Sequence, residues 1–127
     1  MTTRYEGGCH CGAVRFHVDV DDHVALACNC SMCAKMGYLH VIVPPERFAI
    51  VRGEQALRVY TFNTHVARHM FCGTCGVHPF YRPRSHPRDW DVNALCLDGD
   101  AAARFRVEPY DGKNWESSIG SIAAKYS

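Results

Sequence analysis

Phe71-Cys72-Gly73-Thr74-Cys75-Gly76 has the composition of a zinc knuckle. Two residues between thiolates form a tight turn whose backbone N–H groups can face sulfur, and Gly73 and Gly76 permit the backbone angles such a turn uses. Upstream, Gly7-Gly8-Cys9-His10-Cys11-Gly12 offers a shorter pair in an equally Gly-relaxed setting. Cys9, Cys11, Cys72 and Cys75 can therefore supply the four donors of a closed structural site. Four isolated core cysteines would have no reason to fall into such pairs. Iron is the main rival to zinc as the occupant.

All but one of the 8 cysteines lie in three tight clusters, and the third is Cys28-Asn29-Cys30-Ser31-Met32-Cys33. Three thiolates so close together can bind one face of a metal and leave a fourth position for water or substrate. A metal-bound thiol loses its proton, which gives a reactive thiolate near neutral pH. The alternative is a second closed structural site completed by Cys96 or a histidine. Spacing alone does not decide which cysteines share a metal, and other partitions of the eight stay open.

Around these clusters the chain reads as short strands with turn punctuation. Val14, Phe16, Val18 and Val20 alternate with Arg15, His17 and Asp19, the pattern of a half-buried strand. Val24 to Cys28 suits a strand that delivers Cys28 and Cys30. Further strands are expected at Tyr38 to Val43, Phe48 to Val51, Leu57 to Phe62, Val66 to Phe71, Val77 to Tyr81 and Asp91 to Leu97. Helical signal is confined to a turn at Ser31 to Met36 and a short helix within Asn114 to Ile122. The expected fold is mainly β, with short antiparallel sheets, few helical turns and metal clusters at strand ends. Phe48, Tyr60, Phe62, Phe71 and Phe80 are expected to fill its core.

With 127 residues, one domain covering 1–127 is expected, and a metal staple would add useful stability at this size. The net charge of +1 and the lack of like-charge runs give no reason to expect a nucleic-acid partner. The apolar stretch Val41-Ile42-Val43 is too short and Pro-broken to span a membrane. Met1-Thr2-Thr3-Arg4-Tyr5-Glu6 carries no signal pattern, so the expected location is cytoplasmic, where thiols stay reduced and metal is favoured over disulfides.

Several other residues are candidates. His10 is expected to point outward, since its neighbours already fill a four-donor site. His40 and His78, on expected strands, could carry protons, although a core histidine with a backbone partner is the commoner outcome. His65, His69 and His86 carry no signal separable from surface usage. Asn29 and Ser31 could donate hydrogen bonds to the second cluster, or simply form its turn. The loop Tyr81-Arg82-Pro83-Arg84-Ser85-His86-Pro87-Arg88 carries three arginines suited to carboxylates, or serves as a solvated turn or a loop packed against the zinc region. Cys96 is expected to be a buried small residue rather than a ligand or redox partner.

The stretches Gly7-Gly-Cys-His-Cys-Gly12, Cys28-Asn-Cys-Ser-Met-Cys33, Phe71-Cys-Gly-Thr-Cys-Gly76, His78-Pro-Phe-Tyr-Arg-Pro-Arg-Ser-His-Pro87 and Asp91-Val-Asn-Ala-Leu-Cys-Leu-Asp98 together resemble the glutathione-dependent formaldehyde-activating enzyme family, which includes centromere protein V-like zinc proteins. The resemblance implies a β-tent-like zinc fold and two Zn2+ per chain. One is structural, on Cys9, Cys11, Cys72 and Cys75. The other is substrate-side, on Cys28, Cys30 and Cys33, which would be the catalytic residues. It also implies carbon–sulfur lyase-type chemistry that condenses a glutathione-like thiol with an aldehyde, formaldehyde in the founding enzyme. Against this stand a noncatalytic zinc-stabilised binding module and, more remotely, a thiol-redox protein using Cys96.

Overall fold

The computed structural model describes residues 2–29, 31–61, 68–83 and 86–110. Phe62, His65, Cys30, Arg84 and the expected helix at 114–122 lie outside them. Ten strands follow in chain order: β1 (Thr3–Gly8), β2 (Arg15–Val20), β3 (Val24–Cys28), β4 (Leu39–Val43), β5 (Phe48–Arg52), β6 (Leu57–Tyr60), β7 (Arg68–Cys72), β8 (Phe80–Arg82), β9 (Trp90–Asn93) and β10 (Arg106–Tyr110). One short helix, α1 (Ser31–Met36), joins β3 to β4. The strands form a three-stranded sheet, β1-β2-β5, and a seven-stranded sheet, β10-β3-β4-β9-β8-β7-β6. The mainly β expectation holds.

Between the sheets lies the main core. The alternation seen in β2 puts Phe16, Val18 and Val20 inward, where they meet Phe48, Phe80 and the inward row Val41, Val43 and Val92 of the larger sheet. Phe16 stacks on Phe48 and meets Phe80 edge-on, both at 5.6 Å between ring centres. Each fully buried phenyl contributes roughly 1.5–3 kcal/mol by leaving water. Tyr60 and Phe71 depart from the expected core set: Tyr60 sits 49% exposed on β6, the edge strand of the large sheet, and Phe71 is half-buried against the His78 ring, on the face of β7 opposite Cys72.

Two strands carry little sequence signal. β1 includes Gly7 and Gly8, which depress strand propensity, yet all six of its residues pair antiparallel with β2. β10 pairs with β3 in parallel, against the antiparallel expectation, and contains Pro109. Proline is tolerated there because β10 is an edge strand. Two expected strands are shorter than the pattern suggested. β9 stops at Asn93 because the Asn93 side chain accepts a hydrogen bond from the Leu95 backbone and starts a 3-10 turn over Ala94–Cys96. β8 starts only at Phe80, because Val77 turns back to accept a hydrogen bond from the Cys72 N–H.

Gly53 braces the loop that carries Cys11. Its φ of +86° is left-handed, and a Cβ there would lie 1.9 Å from the Ala13 carbonyl oxygen. Gly53→Ala is therefore expected to cost about 2 kcal/mol or more, from the strained backbone and the clash together. Thermal denaturation beside the unchanged protein checks this; an equal midpoint would contradict it.

Candidate metal centres and active site

The first cysteine cluster forms where β1 and β7 end. Cys9 and Cys11 follow β1, Cys72 closes β7, and Cys75 sits in the turn after it. Their four sulfurs all lie within 4.8 Å of one another. Cys11 is 3.6 Å from Cys9 and 3.7 Å from Cys72, sulfur to sulfur. A tetrahedral zinc with 2.3 Å bonds would hold its sulfurs about 3.8 Å apart, so the donor set fits such an ion. The Val14 N–H donates to the Cys9 sulfur at 3.3 Å and the Thr74 N–H to the Cys72 sulfur at 3.4 Å. Gly76 has the left-handed φ the knuckle turn requires, whereas Gly73 does not. At Gly73 the constraint is close approach instead: a Cβ there would lie 3.1 Å from the Ala56 carbonyl oxygen that accepts its N–H.

The electrostatics of this cluster favour thiolates at Cys72 and Cys75 and oppose one at Cys11. Burial opposes ionisation of Cys75, but the backbone N–H groups of Cys11 and Val77 and the neighbouring sulfurs bring its thiol down to about 6. The Cys75 N–H likewise lowers Cys72. At Cys11 the Ala13 backbone favours the thiolate, but burial and the three other thiols push the group up to about 11. The sulfurs share protons, and the last to ionise faces the charge of the first. A cation would relieve that repulsion. His10 is exposed, as expected.

The second cluster lies on the other face of the seven-stranded sheet. Cys28 ends β3, and Cys33 lies on α1, which turns the chain back toward β4. Their sulfurs and a ring nitrogen of His40 lie within 4.8 Å of one another. Such a donor set could hold a metal ion. Register explains the convergence. His40 opposes Leu26 on β3 and Asn93 on β9, Asp91 opposes Tyr81 on β8, and Tyr81 opposes His69 on β7. Opposed and alternate residues share a face. Cys28, His40, Asp91, Tyr81 and His69 therefore form one polar row across five strands, on the side away from Val41, Val92 and Phe80.

This row is buried. The Nδ1 of His40 lies 2.7 Å from Asp91 Oδ2, and the two side chains are 5% and 2% exposed. Tyr81 places its hydroxyl 3.4 Å from the same nitrogen, and the Tyr38 hydroxyl donates to the Asp91 carbonyl at 2.6 Å. Burial pushes both phenols well above their ordinary range, so they stay protonated. Among the described residues, His40 Nε2 and Asp91 Oδ1 have no hydrogen-bond partner. Leaving such atoms unsatisfied costs about 1–3 kcal/mol each. The expected backbone partner for His40 is thus replaced by a carboxylate. His69, which carried no signal beyond surface usage, is 4% exposed and stacks on Tyr81 at 4.7 Å. Asn29 is exposed and gives its N–H to the Tyr110 carbonyl.

Between the first cluster and the end of α1 opens a cavity of about 540 Å3, lined in part by Cys9, Met36, His78, Asn93 and Cys96. Its size is within the usual range for small-molecule sites, about 300–1,000 Å3. None of Cys28, Cys33 and His40 is among its described lining residues. His78 is lowered by burial, which favours the neutral ring. Burial, followed by nearby Cys9 and Cys75, pushes the Cys96 thiol up to about 12. It stays protonated and donates toward the His78 carbonyl at 3.7 Å. A redox role through Cys96 is therefore disfavoured. Iodoacetamide at pH 8, read by peptide mass spectrometry, is expected to leave Cys96 unmodified in the folded protein and to label it after denaturation. Labelling in the folded state would contradict the assignment.

Arg82 is engaged within the loop. Its guanidinium lies 3.7 Å over the Trp90 ring and donates to the Arg88 and Asp89 carbonyls at 2.8 and 3.4 Å. This favours the packed-loop reading over carboxylate capture at that residue. The residues that sequence reasoning missed are Asp91, Tyr38, Tyr81 and Asn93. Asn93 accepts from the Leu39 N–H at 3.3 Å and donates to the His78 carbonyl at 3.0 Å. The available signal was a polar residue at alternate positions of two apolar strands, His40 in β4 and Asp91 with Asn93 in β9. That pattern ordinarily marks a wet face.

Residues 4–113 match the family described as glutathione-dependent formaldehyde-activating enzyme. Among solved structures, the chain is similar to a Rhodobacter sphaeroides protein determined in a structural-genomics programme. The two are 36% identical, the match covers 74% of this chain and 88% of that one, and the TM-score is 0.69. Among the described residues no helix is long and apolar enough to cross a membrane.

Proposed function

This chain belongs to the glutathione-dependent formaldehyde-activating enzyme family, and we propose that it is a zinc-dependent, carbon–sulfur lyase-type enzyme acting on a thiol–aldehyde adduct. The reaction adds the thiol of glutathione across the carbonyl of formaldehyde. Sulfur bonds to carbon, the thiol hydrogen ends on oxygen, and S-hydroxymethylglutathione is the product. In this reading two zinc ions bind per chain. Cys9, Cys11, Cys72 and Cys75 hold the structural one; Cys28, Cys30 and Cys33 hold the substrate-side one as thiolates. A zinc ion there supplies a Lewis acid and a softened thiolate environment.

The observation that carries the proposal is the convergence of the Cys28 and Cys33 sulfurs at the end of a buried polar row. The protein's own contribution is placement. Thiol addition to formaldehyde is easy, so holding two reactants together is the main demand. Tyr38 and Tyr81 keep water away from this row and remain hydrogen-bond donors. The cavity beside Met36 and Asn93 is the candidate seat for the peptide body of the thiol substrate. The 1–127 domain would work in the cytoplasm, with a small-molecule thiol and aldehyde as its partners and neither nucleic acid nor membrane required.

A second reading is a noncatalytic zinc-stabilised binding module. His40 favours it, because a nitrogen donor beside the cysteines would give the second metal a closed sphere. The test is direct. Purified protein is expected to carry two zinc ions per chain by elemental analysis. It is also expected to speed exchange between formaldehyde and S-hydroxymethylglutathione, followed by NMR at equilibrium. A single zinc would remove the two-metal reading. Two zincs with an exchange rate equal to the protein-free rate would leave only the binding module.

A further inference from the structure

We infer that His40 Nε2 is itself a donor to the second metal, and that Asp91 is the positioning residue that holds it in that role. The inference rests on the reading of the second cluster as a metal site; to the Cys28 and Cys33 sulfurs it adds a nitrogen ligand from a different strand, and a substrate would enter by expanding that sphere to five.

Three observations converge. A ring nitrogen of His40 lies within 4.8 Å of both the Cys28 and the Cys33 sulfurs. Nδ1 is already engaged, 2.7 Å from Asp91 Oδ2. Nε2 is buried without a hydrogen-bond partner among the described residues, which leaves it as the nitrogen available for coordination. A carboxylate that accepts from Nδ1–H fixes the tautomer with its lone pair on Nε2 and makes the imidazole a better donor. The backbone supports the same geometry. His40 and Asp91 sit on neighbouring strands, β4 and β9, on one face, two residues off direct opposition. Asp91 is held in turn by cross-strand pairing with Tyr81. The remaining Asp91 oxygen is also buried and, among the described residues, unpartnered. A buried carboxylate left so poorly satisfied needs compensating positive charge nearby, and a cation held by His40 would provide it through the ring. A histidine that only filled space would need neither the carboxylate nor an open nitrogen.

Cadmium is the probe, because 113Cd NMR gives each bound ion its own resonance. The full chain loaded with 113Cd is expected to show two resonances. One reports four sulfurs. The other lies upfield of it, in the range for mixed sulfur and nitrogen donors, and couples to the ring protons of His40. His40→Ala should abolish that coupling, shift the upfield signal alone, and weaken the second cadmium at least tenfold in chelator competition. Asp91→Asn should keep the coupling but weaken the same ion by about 10–100-fold. Retention of the four-sulfur resonance certifies that each variant is folded; where His40→Ala is not folded, His40→Gln replaces it.

Two cadmium signals with no histidine coupling would overturn the inference while leaving the cysteine cluster intact. A single signal in the unsubstituted protein would overturn the cluster reading and this inference with it. The coupling in the unsubstituted protein decides the matter without relying on any variant.

Discussion

Replacing Cys72 with serine is expected to unfold the protein rather than merely soften it. Cys72 is fully buried, closes β7 and faces the sulfurs of Cys9 and Cys11 across the gap between the two sheets. Its side chain links the end of β1 in the small sheet to the end of β7 in the large one. A structural zinc of this kind contributes an apparent 10–16 kcal/mol in small domains, which exceeds the usual net stability of about 5–15 kcal/mol. Losing one donor of four also weakens the hold on zinc; once the ion leaves, three thiols stand close together without its charge, and a hydroxyl occupies a site with no exposure. The expected result is loss of cooperative melting and of β-type circular dichroism, matched by the unsubstituted protein after strong chelation. Cys11→Ser should be milder, since Cys11 is exposed at the edge of the cluster. A cooperative melt for Cys72→Ser within a few degrees of the original would sink the structural assignment of this site.

The contrast between the two clusters explains what the sequence made legible. Cys9-x-Cys11 and Cys72-x2-Cys75 announce themselves because local turns place each pair, so only one long-range contact had to be inferred. Alternation in β2 was equally readable, since one face meets a core and the other meets water. The second cluster was half hidden. Its cysteines are local, but His40 and Asp91 reach it through strand register, which no local pattern encodes. Leu39-His40-Val41-Ile42-Val43 reads as a strand with one polar intrusion, and nothing in those five residues says that the side bearing His40 is buried. β1 and β10 were missed for a related reason. Glycines and a proline weaken their local propensity, and pairing with β2 and β3 overrides it. Tyr60 failed in the opposite sense: an aromatic in an alternating run looks like core, but an edge strand leaves it in water.

Cys33→Ser should separate function from folding, the reverse of the effect at Cys72. Cys33 is buried on α1, where its carbonyl accepts the Gly37 N–H that turns the chain into β4. That backbone bond survives the substitution, and serine is close to cysteine in size. The second cluster also sits on the face of the large sheet turned away from the main core, so its loss leaves the packing of Phe16, Phe48 and Phe80 untouched. A hydroxyl, however, is a far poorer zinc ligand than a thiolate at neutral pH. Zinc should therefore fall from two per chain to one, with the melting transition displaced but still cooperative. Catalysed exchange between formaldehyde and S-hydroxymethylglutathione should fall at least about 100-fold, to near the protein-free rate, because placement of the thiol beside the aldehyde is the contribution being removed. The double readout matters. Activity lost together with one zinc assigns the chemistry to this cluster. Activity kept with one zinc would overturn the assignment of the chemistry to Cys28, Cys30 and Cys33. Loss of both zincs would mean that the two sites fold as one unit, despite lying on opposite sides of the sheet.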